Sequence, residues 1–195
     1  MHKKTKMTVA LLSVVAVGAL TQVSFAATSG VTAVTIAGGS STFAAVTAAT
    51  TDGAHGATPS WDVTPGAAGS ITAGDLYAID TGAYTGDILV TIYVTNVADL
   101  AQRYTYLNLG VTAYEWDSTL ASGAGDWETT PIAGKTGSSL TSYLTLTGGY
   151  VSFVLPQDAE GGKFSLSVDG GSFYANSQTS GGSISPEFFV DVRQA

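Results

Sequence analysis

From Ile88 to Thr95 the side chains alternate without a break. Ile88, Val90, Ile92 and Val94 fall on one parity, and Leu89, Thr91, Tyr93 and Thr95 on the other. A period of two sends successive side chains to opposite faces of an extended chain, so this run is a strand with one buried face. The pattern returns along the chain. Residues 103–116 form a second long alternating run, with Leu107, Leu109, Val111 and Ala113 on its core parity. Leu140, Leu144 and Leu146 lead through Thr147, Gly148, Gly149 and Tyr150 to Val151, Phe153 and Leu155. Phe164, Leu166 and Val168 lead through Asp169, Gly170 and Gly171 to Phe173 and Tyr174. Paired glycines between such runs read as hairpins, because the tight hairpin turns need positive φ. Phe188, Val190 and Val192 mark a last strand, and residues 31–37, 42–48 and 76–79 are shorter candidates. Only residues 97–102 suggest a helical turn. About nine or ten strands with no repeating helical period predict an all-β fold, a jelly-roll-like antiparallel β-sandwich.

The first 26 residues stand outside this pattern. Lys3, Lys4 and Lys6 precede an apolar run over residues 9–20, and Ser24 and Ala26 supply the small residues of a cleavage site. This is the layout of a secretory signal, and its apolar run is too short for a spanning helix, which needs about 20 residues. The expected mature chain begins at Ala27 and is secreted to the extracellular space or cell surface, with no membrane segment after cleavage. It keeps four basic residues, Arg103, Lys135, Lys163 and Arg193, against 15 acidic ones. Such a balance excludes nucleic acid as a partner, since phosphate backbones are held by clustered Lys and Arg.

The expected division is a signal over 1–26, a donor-strand and linker segment over 27–67, and a β-sandwich domain over 68–195. The segment 27–67 is rich in Ala, Thr, Gly, Ser and Val, with Asp52 and Asp62 its only charges. Its best strand, Val31, Thr32, Ala33, Val34, Thr35 and Ile36, is apolar on both faces, and both faces therefore want burial. Gly38, Gly39, Ser40 and Ser41 follow as a flexible joint. The strand either completes its own sandwich or is lent to a neighbouring subunit, and sequence does not separate pairing in cis from pairing in trans.

Catalytic chemistry is sparse, and the expectation is that the chain is not an enzyme. The chain has no cysteine, which excludes disulfides, Cys–zinc sites and thiol nucleophiles. His55, the only histidine beyond the signal, sits in a loop of small residues and reads as a solvated side chain; no nucleophile-elbow motif supports a triad. Glu115 with Asp117, and Asp126 with Glu128, sit beside Trp116 and Trp127. Carboxylates two apart on a strand share a face in any acidic chain, so these pairs are not by themselves a glycosidase pair. No cofactor is expected. Calcium is a better metal candidate than zinc, through Asp158 and Glu160 in one loop and Asp75, Asp80 and Asp87 in others, although solvated turn acids are the ordinary reading. Tyr104, Tyr106, Tyr114 and Trp116 share the parity opposite Leu107, Leu109 and Val111, and form a candidate contact surface for a sugar or a neighbour. Ordinary cross-strand pairing is the competing reading.

The stretch Gly86, Asp87, Ile88, Leu89, Val90, Thr91, Ile92, Tyr93, Val94, Thr95, Asn96, followed by Asp99-Leu100 and Leu107-Asn108-Leu109, resembles a recurring core of the TasA/camelysin family. The signal followed directly by a small-residue strand is similar too. The resemblance implies a secreted matrix protein. Members and the related archaeal bundling pilins polymerise by donating an N-terminal strand to the next subunit. It implies that Val31 to Ile36 is the donor and that the partner is a second copy of the chain. It names no catalytic residue. Two functions follow: a structural subunit of an extracellular filament, pilus or biofilm-matrix fibre, or a secreted carbohydrate-binding or adhesive module that touches glycans or a cell surface.

Overall fold

A computed structural model describes residues 30–33, 35–41, 43–49, 52–132, 141–156, 162–177 and 184–195. The fold is an all-β sandwich of antiparallel sheets. The N-terminal part supplies β1 (Gly30–Ala33), β2 (Thr35–Ser41), β3 (Ala45–Ala48), β4 (Ser60–Val63) and β5 (Ala68–Ser70). β6 (Gly74–Asp80), β7 (Ile88–Val94), a short helix α1 (Val97–Arg103) and β8 (Tyr104–Asp117) follow. The chain ends with β9 (Asp126–Trp127), β10 (Thr141–Thr145), β11 (Tyr150–Leu155), β12 (Lys163–Ala175) and β13 (Glu187–Gln194).

The larger sheet runs in the order β10-β8-β12-β6-β3, with β5 paired to β12 and β9 to β8. The smaller one runs β11-β7-β13-β2, and β1 and β4 form a separate two-stranded ribbon. Among the described residues every ladder is antiparallel except that of β2 on β13, which is parallel. The segment expected to be a linker is built into this frame: β3 pairs with β6, and Trp61 and Val63 of β4 are buried in the core.

The core lies between the two sheets and follows the period-two reading. Ile88, Val90, Ile92 and Val94 of β7, Val151 and Phe153 of β11, and Phe188 and Val190 of β13 face Leu107, Leu109 and Val111 of β8 and Phe164 and Leu166 of β12, and all are buried. A polar bond also ties the layers together: the buried Tyr77 hydroxyl of β6 donates to the Phe188 carbonyl of β13 at 2.6 Å.

Neither expected glycine hairpin forms. β10 pairs with β8, whereas β11 pairs with β7, so Gly148 and Gly149 carry the chain from one sheet to the other. Gly149 supplies the positive φ of 69°. A turn of that kind does not dictate that the flanking runs pair with each other. At Asp169-Gly170-Gly171 the chain does not turn at all: β12 runs through as 13 residues. Its register with β8 shifts between Val168 and Gly170, so Asp169 is an extra, bulged residue. Gly170 and Gly171 hold positive φ of 156° and 157°, which other residues rarely adopt, and a Cβ on Gly171 would also collide with the Asn108 carbonyl. Glycine serves close strand approach at Gly171 and the positive φ at Gly170, which has open space around it, rather than a reversal.

Phe164 has no exposed surface. Phe164→Ala lowers the unfolding free energy by about 3–5 kcal/mol, read from urea denaturation; a loss under about 1 kcal/mol would place the ring outside the core.

Candidate functional site

The six-residue candidate donor divides between two sheets. Val31, Thr32 and Ala33 pair with Asp62, Trp61 and Ser60 of β4, while Thr35 and Ile36 pair with Glu187 and Phe188 of β13. Val34 lies outside the described residues. Gly38, Gly39, Ser40 and Ser41, expected as a joint, continue β2 along β13. β2 is the outermost strand of its sheet, with one strand neighbour there. Within a single chain this pairing is in cis.

The aromatic row of β8 does not share one face. Tyr174 pairs with Tyr106 but Ala175 pairs with Tyr104, so an irregularity absorbs Thr105 and turns Tyr104 to the core side. There it is buried, accepts a bond from the Trp61 indole N–H at 3.1 Å and meets Phe173 edge-on. Tyr106 remains 45% exposed beside Tyr174. Trp116 is half-buried, stacked edge-on with Trp127 at 5.3 Å and capped by the Lys163 ammonium at 5.8 Å. Tyr114 is buried beneath a loop. Of the four, Tyr106 alone offers a freely accessible ring.

That loop, residues 52–57, crosses the outer face of the larger sheet and is anchored along its length. Asp75 of β6 is fully buried, and its carboxylate accepts from the backbone N–H groups of His55 and Gly56 and from the hydroxyls of Ser165 and Ser167. The Ser165 hydroxyl in turn accepts from the Ala54 N–H at 3.1 Å. His55 is exposed, as expected of a loop residue, but its ring is not without partners. Its Nε2 lies 2.8 Å from the Asp169 carboxylate, and its ring meets Tyr114 edge-on at 5.3 Å. The Tyr114 hydroxyl donates to both Asp169 oxygens at 2.8 and 2.9 Å. At the loop's start, the Asp52 carbonyl accepts from the Trp127 indole at 2.9 Å. Histidine, serine and aspartate thus come together, but the imidazole faces a carboxylate and both serine hydroxyls bond to Asp75. Asp75 with the two serines makes a buried polar lock, and the His55–Asp169 pair lies at its exposed rim.

The remaining acids are scattered. Asp117 accepts from the N–H and hydroxyl of Thr119, both at 2.7 Å, and these bonds hold its carboxyl below the usual range. It sits opposite Asp126 in the β8–β9 ladder, while Glu115 on the same strand is buried. Asp80 caps its own turn through the Gly82 N–H at 2.8 Å, and the backbone carbonyl of Asp87 accepts from the Ala195 N–H at 3.0 Å. Asp158 and Glu160 lie outside the described residues. Among the described residues no group of three or more His, Asp or Glu side chains is arranged to hold a metal ion, and no helix is long and apolar enough to cross a membrane.

A second aromatic row was missed from sequence. Tyr93, Tyr150 and Phe189 point outward from the smaller sheet, side by side on β7, β11 and β13. Their parity was readable, since each alternates with a core residue, but their neighbourhood depends on strand order. No known family profile matches this chain, and no curated protein matches it.

Two measurements test the lock. Asp75→Ala leaves four buried or part-buried donors without their acceptor and lowers stability by at least about 2–3 kcal/mol, with new protease cleavage within residues 52–57. Burial first, then the hydrogen bond and negative charge of Asp169, push the Tyr114 phenol well above its ordinary value of 10.0. The folded state therefore favours the neutral phenol; that contribution is complete below about pH 10 and fades as the pH rises past it. Tyr114→Phe makes the fall in melting temperature from about pH 9 to 11 shallower than in the wild type.

Proposed function

We propose that this chain is a structural, non-catalytic subunit of an extracellular filament that grows by passing its N-terminal strands to the next copy. The carrying observation is the placement of β2. It is the outermost strand of its sheet, it lies parallel to β13 where every other ladder among the described residues is antiparallel, and it belongs to the start of the expected mature chain. Removing it would leave the main-chain groups of β13 open along one side, and an open edge recruits any strand of matching register.

The same segment from a second copy fits the same edge. Every main-chain bond lost in cis is regained in trans, so exchange is nearly neutral in contact energy and is decided by concentration. Because one copy donates and accepts at different places, the contact is head-to-tail and propagates rather than closing on itself. β1 travels with β2, since the two are separated by Val34 alone, and its place on β4 is filled in the same way. The layout of residues 1–26 as a secretory signal and the resemblance to the TasA/camelysin family support the same reading.

The absence of cysteine allows a clean test. Asp191 of β13 and Ser40 of β2 are register partners, so cysteines at these positions are placed to bridge. In Ser40→Cys, Asp191→Cys protein, strand exchange produces a covalent ladder on a non-reducing gel, alongside filaments seen by electron microscopy. Complete oxidation to a disulfide-closed monomer, with no ladder at any concentration, would overturn the proposal.

A further inference from the structure

The outer face of the smaller sheet carries three aromatic rings that the core does not need. Tyr150 is 58% exposed and Tyr93 38% exposed, and Phe189 beside them is half-buried. Tyr93 is the register partner of both Tyr150 and Phe189, so the rings form one row across three strands. Their centroids are 6.0 and 6.5 Å apart, tilted by 33° and 43° in step with the sheet. Their alternating neighbours Ile92, Val151, Phe188 and Val190 are buried in the core, so the rings are committed to the outside. Exposed aromatic surface gathered into one stripe marks a contact site.

We infer that this row is a platform for a neutral polysaccharide chain lying across the strands. The rings repeat at 6.0 and 6.5 Å, the scale of one sugar residue, so an extended glycan crossing the strands passes over each ring in turn. The C–H face of a pyranose is apolar and faintly positive at its hydrogens, and it stacks on the negative face of an aromatic ring. The hydroxyls at the sugar's rim need polar partners, and the row is bracketed by them. On one side Thr91 and Ser152 hydroxyls lie 2.9 Å apart, with Asp191 in register with Thr91. On the other, Thr95 and Glu187 are bonded to each other at the open end of β13.

Charge selects among glycans. Arg193 is the sole basic side chain of this sheet's four strands, and its Nε donates to Asp191 at 2.7 Å. With a net charge of −8 over the chain and Glu187 and Asp191 flanking the rings, a polyanionic glycan is repelled while a neutral one is not. The inference does not rest on strand exchange, since all three rings belong to β7, β11 and β13.

The test is affinity electrophoresis of the purified protein through hydroxyethylcellulose, glycol chitin and mannan, with carboxymethylcellulose as the charged counterpart of the first. The protein is expected to be retarded in at least one neutral gel, and by carboxymethylcellulose not at all at low salt. Tyr150→Ala and Tyr93→Ala each weaken the retardation at least about tenfold, and Tyr150→Phe stays within about threefold because the ring rather than the hydroxyl does the stacking. Tyr106→Ala, on the other sheet, leaves it unchanged. Melting temperatures within about 2 °C of wild type confirm that the variants are folded. Passage of the wild type through all three neutral gels unretarded would overturn the inference. So would retardation that survives Tyr93→Ala and Tyr150→Ala together, or a double variant whose sole change is lost self-association in sedimentation, which would assign the face to a second copy.

Discussion

Asp75 is a carboxylate with no exposed surface, and the middle of the larger sheet depends on it. β8 and β12 are buried on both sides there, yet their outer side is polar, lined by Thr112, Ser165 and Ser167. A buried polar face is tolerable only when its donors and acceptors are satisfied. Asp75 meets that demand from below, and residues 52–57 close it from above by donating backbone N–H groups to the same carboxylate. Asp169 extends the lock by bonding Tyr114 and His55, and it can do so because the bulge at Val168–Gly170 pushes it out of register.

The lock bears on function by dividing the molecule's surface. The central outer face of the larger sheet is occupied by its own loop and is closed to a ligand. The open features lie elsewhere: the β2 edge of the smaller sheet, the aromatic row beside it, and Tyr106 with Tyr174 at the far end of the larger one. Gly38 of β2 is the register partner of Phe189, so the row ends at the edge strand. A fibre joined at that edge would repeat the row once per subunit, and many weak glycan contacts on one fibre would act together. A matrix fibre that holds polysaccharide is consistent with both proposals, which remain separable because one concerns main-chain pairing and the other outward rings.

Periodicity made the strands and the inward residues legible, because burial of one face of a pleated strand is a local rule. Each core position read from β7, β8, β11, β12 and β13 is buried. The same rule misplaced Tyr104, since one irregularity next to Thr105 reverses parity for everything before it. It also mistook two glycine pairs for hairpins. A glycine pair shows that the backbone there needs unusual freedom; whether that freedom serves a turn, a crossing between sheets or a close approach depends on what lies alongside.

Sequence by itself determined the all-β class, the alternating runs of the long strands with their inward residues, and the acidic, cysteine-free chemistry, because each follows from residues adjacent in the chain; the short strands β4, β5 and β9 carry no such pattern. Tertiary structure alone decided which strands are neighbours. That choice set His55 against Asp169 across 114 positions, buried Asp75 under a loop, placed β2 parallel on β13, and lined up Tyr150, Tyr93 and Phe189 from three separate strands. Contacts of this kind join residues far apart in sequence, and no local pattern encodes them; they arise when two sheets, each with one apolar face, bury those faces against each other and thereby fix the order of their strands.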